Sequence, residues 1–136
     1  MDCLFCKIIN KEINADIIYE DEDVLVILDI QPRAPGHAIV LPKKHVANIL
    51  ELEQNDIGLV FSGVQKATQL LDKSLNPDGF TIGINQGRAS GQTIDHLHIH
   101  IMPRWYNDGG GSIHSVVNNK PTESLSEIKN KILKNT

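Results

Sequence analysis

Apolar positions in the first third of the chain fall into short β-branched runs: Ile17-Ile18-Tyr19, Val24-Leu25-Val26-Ile27-Leu28 and Ala38-Ile39-Val40-Leu41. Turn-forming or charged residues bound each run, which predicts three strands. The acidic cluster Glu20-Asp21-Glu22-Asp23 suits a solvated hairpin turn, Gln31-Pro32-Arg33-Ala34-Pro35-Gly36 is a breaker-rich loop, and Pro42 closes the third strand. The period then changes. Ile57, Val60, Phe61, Val64, Ala67, Leu71 and Leu75 recur at three- and four-residue steps, predicting one long amphipathic helix that Asn76-Pro77-Asp78-Gly79 stops. Phe80 to Ile84 reads as a fourth strand, followed by the polar loop Asn85 to Thr93. Cys3 to Asn10 suits one or two helical turns, and a terminal helix carries Leu125, Ile128 and Ile132 behind a Ser124-x-x-Glu127 capping box.

The most informative run is His96-Leu97-His98-Ile99-His100-Ile101-Met102, closed by Pro103. As a fifth strand it sends three imidazoles to one face and Leu97, Ile99 and Ile101 to the other. Alternate side chains on a strand lie roughly 7 Å apart, so the outer histidines, about 13 Å apart, do not readily share one metal ion. The row points to several roles in series.

Five strands with one long central helix, a short N-terminal helix and a short C-terminal helix predict an α+β fold with a five-stranded, mostly antiparallel sheet. The gaps between the first three strands are too short for parallel crossovers. At 136 residues the chain fits one domain. A formal charge of -4 offers no broad cationic surface, so no nucleic acid is expected as partner. With neither an 18-residue apolar stretch nor a signal-peptide pattern, no membrane partner is expected and a cytoplasmic location is the default. Both cysteines lie in Cys3-Leu4-Phe5-Cys6, a spacing that reads as metal or redox chemistry in a reduced compartment. An exposed dithiol or two free buried cysteines fit the same pattern.

The loop Asn85-Gln86-Gly87-Arg88-Ala89-Ser90-Gly91-Gln92-Thr93 sets glycines, amides and hydroxyls just ahead of the histidines, where backbone N–H groups can face an anion. The segment Gly91 to Arg104 resembles the signature of the histidine triad (HIT) family of nucleotide hydrolases and transferases. The likeness extends to Leu28-Asp29-Ile30-Gln31-Pro32, to Pro35 through His45, and to Cys3 through Ile9. It covers roughly residues 2 to 107. A HIT domain is therefore expected over 1–107, with 108–136 a helical tail that belongs to the same domain or faces a dimer partner.

The resemblance implies that His98 attacks the α-phosphorus of a purine nucleoside phosphoramidate or dinucleoside polyphosphate, forming a covalent nucleotidyl-histidine that water hydrolyses. His100 and His37 would stabilise charge on the phosphate, while Gln92 and Thr93 would meet the bridging atom and leaving group, one of them relaying a proton. Asp29 would accept ribose hydroxyls, and Phe5, Ile8, Ile27 and Ile30 would line a slot for the base. Asn85 and Gly91 complete the implied nucleotide contacts. Phe5, Ile8 and Ile27 fit ordinary core equally well. In a subset of the family a zinc ion is bound at positions matching Cys3, Cys6, His45 and His96, and four protein ligands would make such a Zn2+ structural. A homodimer is implied too. Against the enzyme stands a purine-nucleotide-binding regulatory module with little turnover, which a broken nucleophile site would favour; His98 and its neighbours are intact.

Overall fold

The computed structural model describes residues 2–136. Helix α1 spans Leu4–Ile9; strands β1 (Ile17–Glu20), β2 (Val24–Leu28) and β3 (Ala38–Pro42) follow. Then come the long helix α2 (Gln54–Leu75), strands β4 (Gly79–Gly83) and β5 (Ile99–Arg104), and helix α3 (Leu125–Leu133). One sheet holds all five strands in the order β1-β2-β3-β5-β4, with every adjacent pair antiparallel. The architecture is the α+β fold that the periodicities predict. No helix among the described residues is long and apolar enough to cross a membrane.

Alternation along the strands builds two cores, one on each sheet face. Val24, Val26, Val40, Leu97, Ile99 and Ile101 pack with Val60, Val64, Ala67 and Leu71 of α2. Leu25, Ile27, Ile39 and Leu41 pack on the other face with Cys3, Phe5 and Ile8 of the α1 region. That is why β2 and β3 are apolar throughout: both of their faces are covered. The predicted hairpin turn is built by Asp21, whose carboxylate accepts the N–H groups of Asp23 and Val24 at 2.8 and 2.9 Å. Asn76, in the left-handed region at φ 49°, ends α2 with its N–H on the Asp72 carbonyl.

The histidine strand differs from expectation at both ends. Ladder pairing starts at Ile99, opposite Val40, so His96, Leu97 and His98 precede the strand. Their polar groups are committed elsewhere: the Leu97 N–H donates to the Val46 carbonyl, and the His96 carbonyl is taken by the His98 side chain. Pro103 does not end the strand but sits inside it, opposite Phe80 of β4. Pairing with β3 has finished by Ile101, so its missing N–H falls where the sheet is locally an edge.

Two glycines of α2 separate packing from propensity. A Cβ on Gly63 would lie 2.6 Å from Val24 Cγ2, whereas one on Gly58 would meet nothing within 4 Å. Gly63→Ala is expected to destabilise the chain by about 1–3 kcal/mol through overpacking, and Gly58→Ala to stabilise it by about 0.5–1 kcal/mol. Urea denaturation of both variants reads the difference.

Candidate functional site

The β3–β5 pairing brings His37, at the entrance to β3, beside His100 of β5. His37 is 4% exposed. The Arg33 backbone N–H donates to its Nδ1 at 3.1 Å. That nitrogen must therefore be an acceptor, and a neutral His37 carries its proton on Nε2. His37 Nε2 lies 3.0 Å from His100 Nδ1 and donates to it, with Asp29 Oδ2 3.5 Å away on the same side. His100 is then protonated on Nε2, the nitrogen facing away from His37. One backbone amide fixes both tautomers.

His98 has the opposite polarity. Its Nδ1 lies 2.8 Å from the His96 carbonyl, which can only accept, so the proton is on Nδ1 and Nε2 keeps a free lone pair. The His98 ring centroid stands 5.2 Å from that of His100 and 5.0 Å from that of Phe5. The half-buried pair thus presents a nucleophilic nitrogen beside an N–H donor, the combination needed to attack an electrophile and hold its developing charge. Burial, followed by the neighbouring His98 and His37 rings, pushes His100 down to about 4, against a smaller opposing pull from Asp29. His37 is lowered as well, chiefly by burial. Both stay neutral at pH 7, as the donor chain requires.

Asp29, His37 and His100 are close enough to suggest a metal site. The donor chain argues against one, because a cation there would have to displace the proton that His37 Nε2 needs while Arg33 holds Nδ1.

A second cluster lies on the far side of His96. His96 is fully buried, and its Nε2–H donates to the Pro42 carbonyl at 2.8 Å, leaving Nδ1 bare. Nδ1 faces His45 Nδ1 at 3.1 Å, Cys3 Sγ at 3.5 Å and Cys6 Sγ at 3.6 Å; Cys6 Sγ is 3.2 Å from His45 Nδ1. An ion about 2.3 Å from sulfur and about 2.0–2.1 Å from nitrogen implies tetrahedral edges of about 3.3 Å between nitrogens and about 3.5 Å between nitrogen and sulfur. The cluster has those dimensions before any ion enters, and a two-thiol, two-imidazole donor set suits a soft or borderline cation. Burial first, then hydrogen bonding to and the charge of Cys3, pushes the Cys6 thiol up to about 11, so a cation is what would hold it as thiolate. His96 is itself pushed down to about 4, mainly by burial.

The remaining residues singled out from the sequence divide. Gln92 is buried, with both amide hydrogens committed to the Ala47 and Ile94 carbonyls and its oxygen accepting from Gly87 N–H. In this arrangement the side chain braces the loop. His37 contacts His100 through its Nε2. Thr93, Asn85 and Gly91 lie exposed on the loop. Asp29 is half-buried, one carboxylate oxygen accepting from Gln31 N–H. Phe5, Ile8 and Ile27 are buried in the second core, Phe5 edge-on to both His96 and His98, while Ile30 is 88% exposed. The sequence reading missed the brace from Arg33; the breaker-rich loop that carries it was visible, but a backbone donor leaves no mark in side-chain identity.

The HIT domain family model matches residues 10–107. An uncharacterized HIT-like protein of Methanocaldococcus jannaschii is 45% identical over 128 residues, 93% of this chain and 98% of its own length. An adenosine 5′-monophosphoramidase of Schizosaccharomyces pombe is 36% identical over 76% of this chain and 75% of its own. An adenylylsulfatase of Arabidopsis thaliana is 39% identical over 76% of this chain and 52% of its own. Among solved structures, a HIT family member from Bacillus subtilis superposes with a TM-score of 0.87 at 33% identity, covering 100% of this chain, tail included, and 98% of that one. A Zn-bound histidine triad family protein from Mycobacterium smegmatis gives 0.74 at 32% identity over 90% of this chain and 85% of that one.

The depressed imidazoles make stability pH-dependent. His100 stays neutral in the folded chain down to about 4 but takes a proton near 6.5 when unfolded. The unfolded state binds more protons between those values, so stability is lost as pH falls from about 6.5 towards 4 and is flat with respect to this group above that window. Unfolding of the chelated chain followed against pH is expected to show that slope, and His100→Asn to make it shallower; an unchanged slope would contradict the assignment.

Proposed function

The chain belongs to the HIT family, and from that premise we propose that it hydrolyses purine nucleoside phosphoramidates or dinucleoside polyphosphates at the α-phosphate through a nucleotidyl-His98 intermediate. The observation that carries this reading is the fixed tautomer of His98, with Nδ1–H on the His96 carbonyl and Nε2 free. In the first step the Nε2 lone pair forms a bond to phosphorus and the bond to the leaving group breaks. His100 Nε2–H meets a non-bridging oxygen, where charge is carried in the transition state. The exposed Thr93 hydroxyl, rather than the committed Gln92 amide, is the group able to pass a proton to the leaving group. A water oxygen then attacks phosphorus, the N–P electron pair returns to Nε2, and the nucleoside monophosphate departs. Asp29 is suited to accept ribose hydroxyls, and the Phe5 edge beside His98 begins a wall for the base with Ile8, Ile27 and Ile30; Asn85 and Gly91 approach from the loop.

We assign Zn2+ to Cys3, Cys6, His45 and His96. With four protein ligands it supplies structural cross-linking between α1, the segment after β3 and the histidine segment, and takes no part in the reaction. We also assign a homodimer through the free edge of β4 and the adjacent face of α2, where Phe61, Val64, Thr68, Phe80 and Ile82 line an open groove.

The phosphoramidase reading is favoured by the S. pombe relative, and an adenylyl sulfate substrate by the A. thaliana one. Rapid mixing with adenosine 5′-phosphoramidate, adenylyl sulfate and a diadenosine polyphosphate in parallel, followed by acid-free denaturation and mass measurement, is expected to trap an adenylylated chain with at least one of them. His98→Ala should lose turnover by about 10³-fold or more; unchanged turnover would overturn the mechanism. Elemental analysis of the same preparation should return zinc close to one per chain, and a metal-free chain of unaltered stability would remove the zinc assignment.

A further inference from the structure

Thr93 stands ahead of the histidines with nothing of its own to hold it. Among the described residues neither its hydroxyl nor its backbone N–H makes a hydrogen bond, and the Ile94 N–H beside it makes none either. The side chain is exposed, so packing does not place it. Its position has to come from the residues that flank it.

A single side chain grips both flanks. Arg88 Nη1 donates to the Gln92 carbonyl at 2.5 Å, and its Nη2 donates to Asp95 Oδ2 at 3.1 Å. Thr93 and Ile94 lie between these two anchors, so the guanidinium closes a ring across them. The Gln92 anchor is also braced from inside, through its amide bonds to Gly87, Ala47 and Ile94. Asp95 has no other hydrogen bond among the described residues, so Arg88 alone ties that end down. Arg88 is aimed by the short turn Arg88–Ser90, which opens from Gly87 at φ 83° and closes on Gly91 at φ 103°. The Gly87 carbonyl accepts the Ser90 and Gln92 N–H groups at 3.2 and 3.1 Å, and Ser90 Oγ donates to the Gln86 carbonyl at 2.6 Å. An exposed ion pair contributes little to stability. A planar fork with one arm on a carbonyl and the other on a carboxylate fixes position instead.

We propose that Arg88 is a positioning residue for the departure of the leaving group: its fork between Gln92 and Asp95 holds the Thr93 hydroxyl where a leaving atom needs a proton. This rests on the role of Thr93 in the proposed function and narrows the substrate class to leaving groups that must be protonated, phosphoramidates ahead of adenylyl sulfate. As the bond from His98 to phosphorus forms and the P–N bond of a phosphoramidate breaks, the nitrogen takes the Thr93 hydroxyl proton and that oxygen recovers one from solvent water, so the amine leaves neutral. Sulfate leaves as the dianion and takes up no proton.

Single-turnover adenylylation by adenosine 5′-phosphoramidate and by adenylyl sulfate, which share the nucleotide and differ in the leaving group, tests it. Arg88→Ala is expected to slow adenylylation by the phosphoramidate about tenfold or more and to change the rate with adenylyl sulfate by less than about twofold. An equal loss with both, or no loss with the phosphoramidate, overturns the proposal. Thr93→Val separates it from the reading beneath it: an unchanged phosphoramidate rate removes the role of Thr93 and the proposal together, whereas a slow Thr93→Val beside an unaffected Arg88→Ala overturns the Arg88 assignment alone. A chain that the phosphoramidate does not adenylylate overturns the proposal, and one that no adenylyl donor modifies removes the hydrolase reading as well. The double variant Arg88→Ala, Thr93→Val, measured with the phosphoramidate, should be no slower than Thr93→Val, because Arg88 acts through that hydroxyl. Losses that multiply would contradict the positioning role.

Discussion

His96 is held at three points, and both candidate sites depend on it. Its Nε2–H is bonded to the Pro42 carbonyl, its Nδ1 faces Cys3, Cys6 and His45, and its backbone carbonyl orients His98. The first bond selects the tautomer that leaves Nδ1 available to a cation, in the manner of outer partners that orient metal ligands. The third selects the tautomer that leaves His98 Nε2 available to an electrophile. One residue thus joins a cluster with metal-site dimensions to an imidazole with a free ring nitrogen, with no atom shared between the two contacts.

The sheet makes this possible by burying both faces. The α2 face supplies a conventional apolar core and fixes the register of β3 against β5, on which the His37–His100 contact depends. On the other face α1 carries Cys3 and Cys6 at its start and Phe5 between them, so the turn that offers the thiols also lays an aromatic edge against His96 and His98. Burial on this face keeps His96 and His100 neutral at physiological pH. Neutrality is what the donor chain from Arg33 N–H through His37 to His100 requires, because a proton added to His100 Nδ1 would turn the acceptor of that chain into a second donor.

Much of this was legible in the residues. Period-two runs gave the five strands, and the 3-4 spacing gave α2, since those patterns record which faces are buried. The CxxC pair with His45 and His96 was legible through family likeness and recovered as a cluster of matching dimensions. What escaped was governed by the backbone. His96 to His98 keep the alternation of a strand but spend their polar groups on Pro42, Val46 and each other, and periodicity cannot distinguish that from ladder pairing. The bonds of the Gln92 amide to Gly87, Ala47 and Ile94 join backbone groups that the fold alone brings together. The tail showed its helical pattern and capping box, and α3 forms there with the Glu127 N–H donating to Ser124 Oγ.

Proton positions on the histidines are the most direct test of the arrangement. Long-range 1H–15N correlation spectra of the chain labelled at its histidine rings, recorded near neutral pH, distinguish the two tautomers of each imidazole. His98 is expected to be protonated at Nδ1 and bare at Nε2, with His37 and His100 both protonated at Nε2. A His98 ring carrying its proton on Nε2, or exchanging between the two forms, would contradict the account of how this site holds its nucleophile ready.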